Sequence, residues 1–211
     1  MSIKLLLLLL LELIAFQCKA QYQKTQLELQ TDSLVAALQS QGVDTVGIVE
    51  TYCVGCVGSR IRDDSPCATK GILVPTYILW QSRNKTYAAY IDNCSRKVPV
   101  VVLNAAFWIY LNENKEALKS GKIKPFSIID KSGNNGAPEI IRRNHGGHVS
   151  YKFILGRDTI NQYFDTFALT KKTHFSYSTV RNIYYRSNKS NPIWKLNLLI
   201  AKAIREVNLE R

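Results

Sequence analysis

The sequence predicts an α+β fold: a mainly antiparallel sheet built from hairpins, with an N-terminal, a central and a C-terminal helix. Three observations carry this expectation. Pairs of β-rich runs flank short polar turns, which is the signature of hairpins. Other segments repeat apolar residues at helical spacing. The regular β-α alternation of a doubly wound sheet is missing, and the helices are expected on one face of the sheet.

The first helical segment is TDSLVAALQSQ, from Thr31 to Gln41, where Leu34, Ala37 and Leu38 share a face. Thr31 is its expected cap and Gly42 its stop. DTVGIVETYC then reads as a buried strand. TYILWQSRNKTYAAYIDNC gives two β-rich runs around a polar turn near Arg83 to Lys85. In VPVVVL, Pro99 lacks a backbone donor and so belongs at a strand start or a sheet edge.

The central helix is NAAFWIYLNENKEALKSG, with Asn104 as cap, Phe107, Leu111 and Leu118 on one face, and Gly121 as a left-handed exit. KSGNNGAPE reads as a loop. In HVSYKFILGRDTINQYFDTFAL, Val149, Tyr151, Phe153 and Leu155 alternate before a turn at Gly156 and Arg157. A return strand is expected, although Ile160, Tyr163, Phe164 and Phe167 also fit helical spacing. The last helix opens with Asn191 as cap and Pro192 at its first position. It buries Ile193, Leu196, Ile200, Ile204 and Val207.

The N-terminus sets the expected compartment. MSIKLLLLLLLELIAFQCKAQ has a basic start, a short apolar run broken by Glu12, and small residues at Cys18 and Ala20. That is the layout of a secretory signal cut after Ala20, and its apolar run is shorter than the ~20 residues of a membrane span. A lipoprotein anchor at Cys18 fits less well, because Gln17 before it is not small. The expected organisation is a signal peptide over residues 1–20 and a single disulfide-stapled α+β domain over 21–211. No later stretch is apolar enough to span a membrane, and the location is secreted or periplasmic. Cleavage would remove Lys4, Lys19 and Glu12, leaving 26 basic and 15 acidic side chains, a balance of +11.

Four cysteines survive such a cut: Cys53, Cys56, Cys67 and Cys94. An even count in an exported chain favours disulfides, in any of three pairings. The competing readings each lack a requirement. A thioredoxin-like dithiol at CVGC needs a helix opening at its first cysteine, whereas VGSRIRDDSP reads as a loop. A zinc centre normally shows two close pairs, and only Cys53 and Cys56 are close. Structural crosslinks are the expectation, with no cofactor and no metal.

His145 and His148, in NHGGH, are the candidate catalytic or zinc-binding histidines, and His174 is the third. No nucleophile elbow, zinc-protease motif or phosphate loop accompanies them. Glycines that permit a turn explain the motif more simply. Asp63 and Asp64 are adjacent in a loop and read as solvated surface. Asn84, Asn93 and Asn188 open glycosylation sequons, all at expected turns or strand ends.

The basic excess concentrates in the last third. Residues 171–211 carry nine Lys/Arg against two Glu, and interleave Phe175, Tyr177, Tyr184 and Tyr185 with cations. Arg181, Tyr184, Tyr185, Arg186 and Lys189 are therefore the candidate binding residues. The expected function is an exported soluble binding or interaction protein without a catalytic centre. Its partner would be an anionic envelope glycan, a lipid or an acidic protein, ahead of nucleic acid. The alternative is an extracytoplasmic metal-dependent hydrolase or a thiol-redox enzyme.

Overall fold

The computed structural model describes residues 25–54, 76–92, 99–102, 104–129, 136–143, 146–175 and 178–209. The expected leader, Cys56, Cys67, Cys94, Asp63, Asp64, the Asn93 sequon, His145 and Tyr177 lie outside the described residues. Helix α1 (Gln26–Ser40) leads into strands β1 (Thr45–Val54), β2 (Thr76–Ser82), β3 (Lys85–Ile91) and β4 (Val100–Val102). Helices α2 (Ala106–Glu113) and α3 (Lys115–Ser120) precede the short strands β5 (Ser127–Ile129) and β6 (Pro138–Ile140). Next come β7 (Gly146–Leu155), β8 (Asp158–Asp165), a 3-10 turn at Thr166–Leu169, β9 (Lys172–Phe175) and β10 (Ser178–Arg181). Helices α4 (Tyr185–Ser190) and α5 (Pro192–Leu209) close the described chain.

The result is an α+β fold, as the sequence predicts. Six strands form one antiparallel sheet in the order β4-β3-β2-β1-β7-β8, while β5–β6 and β9–β10 are separate ribbons. Both expected hairpins form. Arg83 and Asn84, at φ 48 and 61, make the two-residue turn between β2 and β3. Turns of that hand match the right-handed twist of the strands they join. Gly156, at φ 63, turns β7 into β8. The return strand prevails over a helix because Ile160, Gln162 and Phe164 are buried at a period of two. Val100 to Val102 pair only with β3, which puts the Pro99 segment at the sheet edge as expected.

Helices cover both faces of the sheet, not the single face expected. On one face Val49, Leu79, Tyr151, Phe153 and Phe164 meet Phe107, Trp108, Leu118, Leu196 and Ile200 from α2, α3 and α5. On the other, Val46, Ile48, Ile78 and Trp80 meet Leu34, Val35 and Leu38 of α1. The cause is local: β1 and β2 are apolar at consecutive positions, so both of their faces need cover. Gly47 lies on the larger core side, where a Cβ would sit 2.8 Å from Phe153 Cε1. Glycine here lets two aromatic rings approach the strand.

Several boundaries differ from the sequence reading. Helix α1 begins earlier, at a capping box: the Glu28 amide donates to Thr25 Oγ1 at 3.2 Å and the Thr25 amide to Glu28 Oε2 at 2.7 Å. Thr31 is instead buried inside the helix. The central helix breaks at Asn114 into α2 and α3, and Asn104 does not cap it. The Asn104 amide donates to the Glu206 carboxylate of α5 at 3.0 Å. Gly121 exits in an extended conformation, φ −64, and a Cβ there would lie 2.7 Å from the Ala117 carbonyl. Close approach, not a left-handed turn, selects that glycine. At α5 the expected cap is present, with Asn191 Oδ1 accepting from the Ile193 amide at 2.9 Å.

The Asn188 sequon is not available for modification, contrary to its expected place at a turn. Its side chain is buried and bonds Lys124 N and O and the Ala168 carbonyl. Asn84 stands exposed at the hairpin tip. Among the described residues, no helix is long and apolar enough to cross a membrane.

Candidate functional site

Among the described residues, the basic segment keeps its cations at the surface but spends Tyr184 and Tyr185 on packing. Arg181, Arg186 and Lys189 are exposed, and they are divided between strand β10 and helix α4. Tyr184 is half-buried, with Lys124 Nζ 4.6 Å over its ring. Tyr185 is half-buried and meets Trp194 edge-on, with centroids 6.4 Å apart. Among the described residues, the segment is a cationic flank without an open aromatic platform. His174 pairs with Thr179 across the β9–β10 ribbon at 3.2 Å, remote in sequence from the other histidines.

His148 lies in a different setting. Strands β1 and β7 pair over ten consecutive positions, but β2 pairs with β1 only from Val46 to Glu50. Strand alternation then decides what each face shows. Glu50 and Tyr52 of β1, His148, Ser150 and Lys152 of β7, and Asn161, Tyr163 and Asp165 of β8 share the α1-side face. Next to α1 that face is apolar; beyond the helix edge it is polar and aromatic. The sheet thus leaves an open strip built from directly opposed and diagonal cross-strand neighbours.

Three rings form its centre. Tyr52 stacks on His148 at 5.4 Å and 21°, His148 on Tyr163 at 5.4 Å and 6°, and Tyr52 on Tyr163 at 6.2 Å and 27°. A hydrogen bond of 2.7 Å joins the Tyr163 hydroxyl to His148 Nδ1. Burial, then the hydrogen bond with Tyr163 and its charge, and last the Glu50 charge push the Tyr52 phenol up to about 12. Tyr52 therefore stays protonated near neutral pH. Tyr163 is 56% exposed, so the cluster is open to solvent at β8.

Two clefts meet at Tyr163. The first, 440 Å³, lies between α1 and the sheet and is lined by Glu28, Asp32, Glu50, Ser150, Lys152 and Asn161. Burial raises the Glu50 carboxyl above its ordinary value, and the Glu28 charge adds to this. The Ser150 hydroxyl bond and the Lys152 charge work in the opposite direction. The second cleft, 510 Å³, lies against the β5–β6 ribbon and is lined by Phe126, Ile140, Arg142, Arg143, His148 and Asp165. It is shaped by a small satellite core in which Phe126 and Phe167 stack at 4.5 Å and 6°.

Asp165 stands opposite His148 in the strand register. Its Oδ1 accepts from the Phe167 amide at 2.8 Å and so caps the 3-10 turn. Cys53 lies beside Tyr52 in β1, paired with Gly147, and is disulfide-bonded. Among the described residues, no group of three or more His, Cys, Asp or Glu side chains could hold a metal ion.

Sequence reasoning singled out His148 but missed Tyr52, Tyr163, Glu50 and the arginines that share its surroundings. The signal was present as alternation: Ser150 and Lys152 in β7, and Asn161, Tyr163 and Asp165 in β8, fall out of phase with the buried residues of those strands. No protein-family model, curated protein or solved structure matches the chain.

Proposed function

We propose that the protein is an exported, non-catalytic binding protein whose ligand is a glycan, seated on the Tyr52–His148–Tyr163 cluster. The single observation that carries this reading is the near-parallel trio of rings set between two polar clefts. A sugar presents an apolar C–H face that packs on such rings, and hydroxyls at its rim. Glu50, Ser150, Lys152 and Asn161 supply acceptors and donors for that rim. Large rings with a few converging polar groups are the usual makeup of a small-ligand site.

In this reading the signal peptide over 1–20 delivers one domain, 21–211, to the periplasm or the exterior. The disulfide at Cys53 supports that compartment. Cys56, Cys67 and Cys94 would supply the remaining thiols of two crosslinks. The exposed Arg181, Arg186 and Lys189 would draw anionic ligands toward the surface without making the specific contacts. The hydrolase and redox alternatives have less support. Asp165 is already bonded to the Phe167 amide, and His148 Nδ1 to the Tyr163 hydroxyl.

Calorimetric titration with a panel of neutral and anionic oligosaccharides tests the reading. Tyr163→Ala and His148→Ala are expected to weaken binding about ten-fold or more while the fold, checked by circular dichroism, is kept. A panel without any binder, or binding indifferent to both substitutions, would contradict it.

A further inference from the structure

We infer that the glycan carries an anionic substituent, a carboxylate or a sulfate, held in the cleft of Arg142, Arg143 and His148. This rests on the glycan reading above and adds the ligand's charge and its direction of binding. Tyr163 lines both clefts, so one short saccharide stacked at the rings reaches into each. The two ends differ in charge. The α1-side cleft sets Glu28, Asp32 and Glu50 against Lys152. Among the described residues, the other sets Arg142 and Arg143 against Asp165, whose Oδ1 already accepts from the Phe167 amide at 2.8 Å. An anion is repelled at the first end and attracted at the second, which leaves one orientation.

Arg143 is also held in place before any ligand arrives. Its guanidinium lies 4.2 Å over the Phe167 ring, and one of its nitrogens donates to Thr173 Oγ1 at 2.9 Å. A guanidinium has five N–H donors in a planar fork suited to carboxylate and sulfate oxygens. Among the described residues, neither Arg142 nor Arg143 is in an ion pair. A fixed arginine without an acidic partner, at the edge of an aromatic platform, is a receptor for a ligand anion.

The test compares three probes at physiological salt: a short oligogalacturonate, its fully methyl-esterified counterpart, and a sulfated galactan oligosaccharide. The ester keeps the sugar rings and loses the charge. One or both anionic probes should bind about ten-fold or more tighter than the ester, and which one does so identifies the anion. Arg142→Gln and Arg143→Gln should each bring that affinity toward the ester's, costing the anionic probe at least about five-fold more than the ester. Because Arg143 also braces Phe167, Arg142→Gln decides the matter if the other variant unfolds. Arg186→Gln, on α4, should preserve the preference.

Equal binding of acid and ester would overturn the inference. So would a preference that survives Arg142→Gln, or one that Arg186→Gln removes just as well, since net charge would then explain it. If the ester binds and Tyr163→Ala weakens it, the glycan reading stands while the anion subsite falls. If none of the three probes binds, the glycan reading fails, and the inference fails with it.

Discussion

Glu50 carries a charge that its own cleft opposes. Burial and the neighbouring Glu28 raise its pKa in the folded protein above the ordinary 4.5. A raised carboxyl pKa means that the folded state binds the proton more tightly than the unfolded chain. Its contribution to stability is therefore present at low pH and is lost as pH rises through the folded pKa. Glu50→Gln is expected to raise the urea midpoint near neutral pH, with the gain fading below about pH 4. Urea titrations across that range check this; a gain that stays constant with pH would assign it to something other than the charge. Such a residue, tolerated at a cost to stability, fits a role in binding. Asn188 has the opposite character. Its three bonds to Lys124 and Ala168 satisfy buried backbone groups between α3 and the 3-10 turn. Asn188→Ala should cost about 3 kcal/mol, measured by denaturation, because those groups would lose their partners without reaching water.

At the scale of elements, the strands are held by close packing that leaves little room. Gly47→Ala would drive a methyl into Phe153, with Trp108 Cη2 3.4 Å from the same point. Overpacking of this kind costs about 1–3 kcal/mol, and the thermal midpoint should fall accordingly. An unchanged midpoint would mean that β1 can shift away from the ring. The Cys53 crosslink should matter as much: reduction is expected to remove about 2–4 kcal/mol, seen as a lower denaturation midpoint with reductant present.

Elements were legible in the sequence wherever a local rule decided them. The β2–β3 and β7–β8 hairpins follow from turn residues between apolar runs, and α5 from its Asn-Pro start and wide stripe. Helix α1 was misplaced because Thr31 resembles a cap, while the true capping box, Thr25 with Glu28, precedes a less regular apolar pattern. The break at Asn114 was hidden because both halves, α2 and α3, feed the same core. The site was the least legible part. Tyr52, His148 and Tyr163 come from three strands, and only the pairing register brings them together. Nothing in the local sequence announces a partner ninety or more residues away.

The molecule as a whole joins three properties: a two-faced sheet, an open polar-aromatic strip beyond the N-terminal part of α1, and a strongly basic chain of +12. The basic charge gives long-range attraction for anions, so ligand binding should weaken with salt. The strip gives selectivity, which salt should affect far less than it affects the rate of encounter. Binding to the cationic flank alone would lose both affinity and preference together as salt rises.

The most direct measurement is a two-dimensional NMR titration of isotope-labelled protein with the oligogalacturonate. The account predicts that amide shifts concentrate at Glu50–Cys53, Arg142–Arg143, Gly147–Ser150 and Tyr163. Shifts confined to Arg181–Lys189, or none at concentrations where the probe remains soluble, would contradict it.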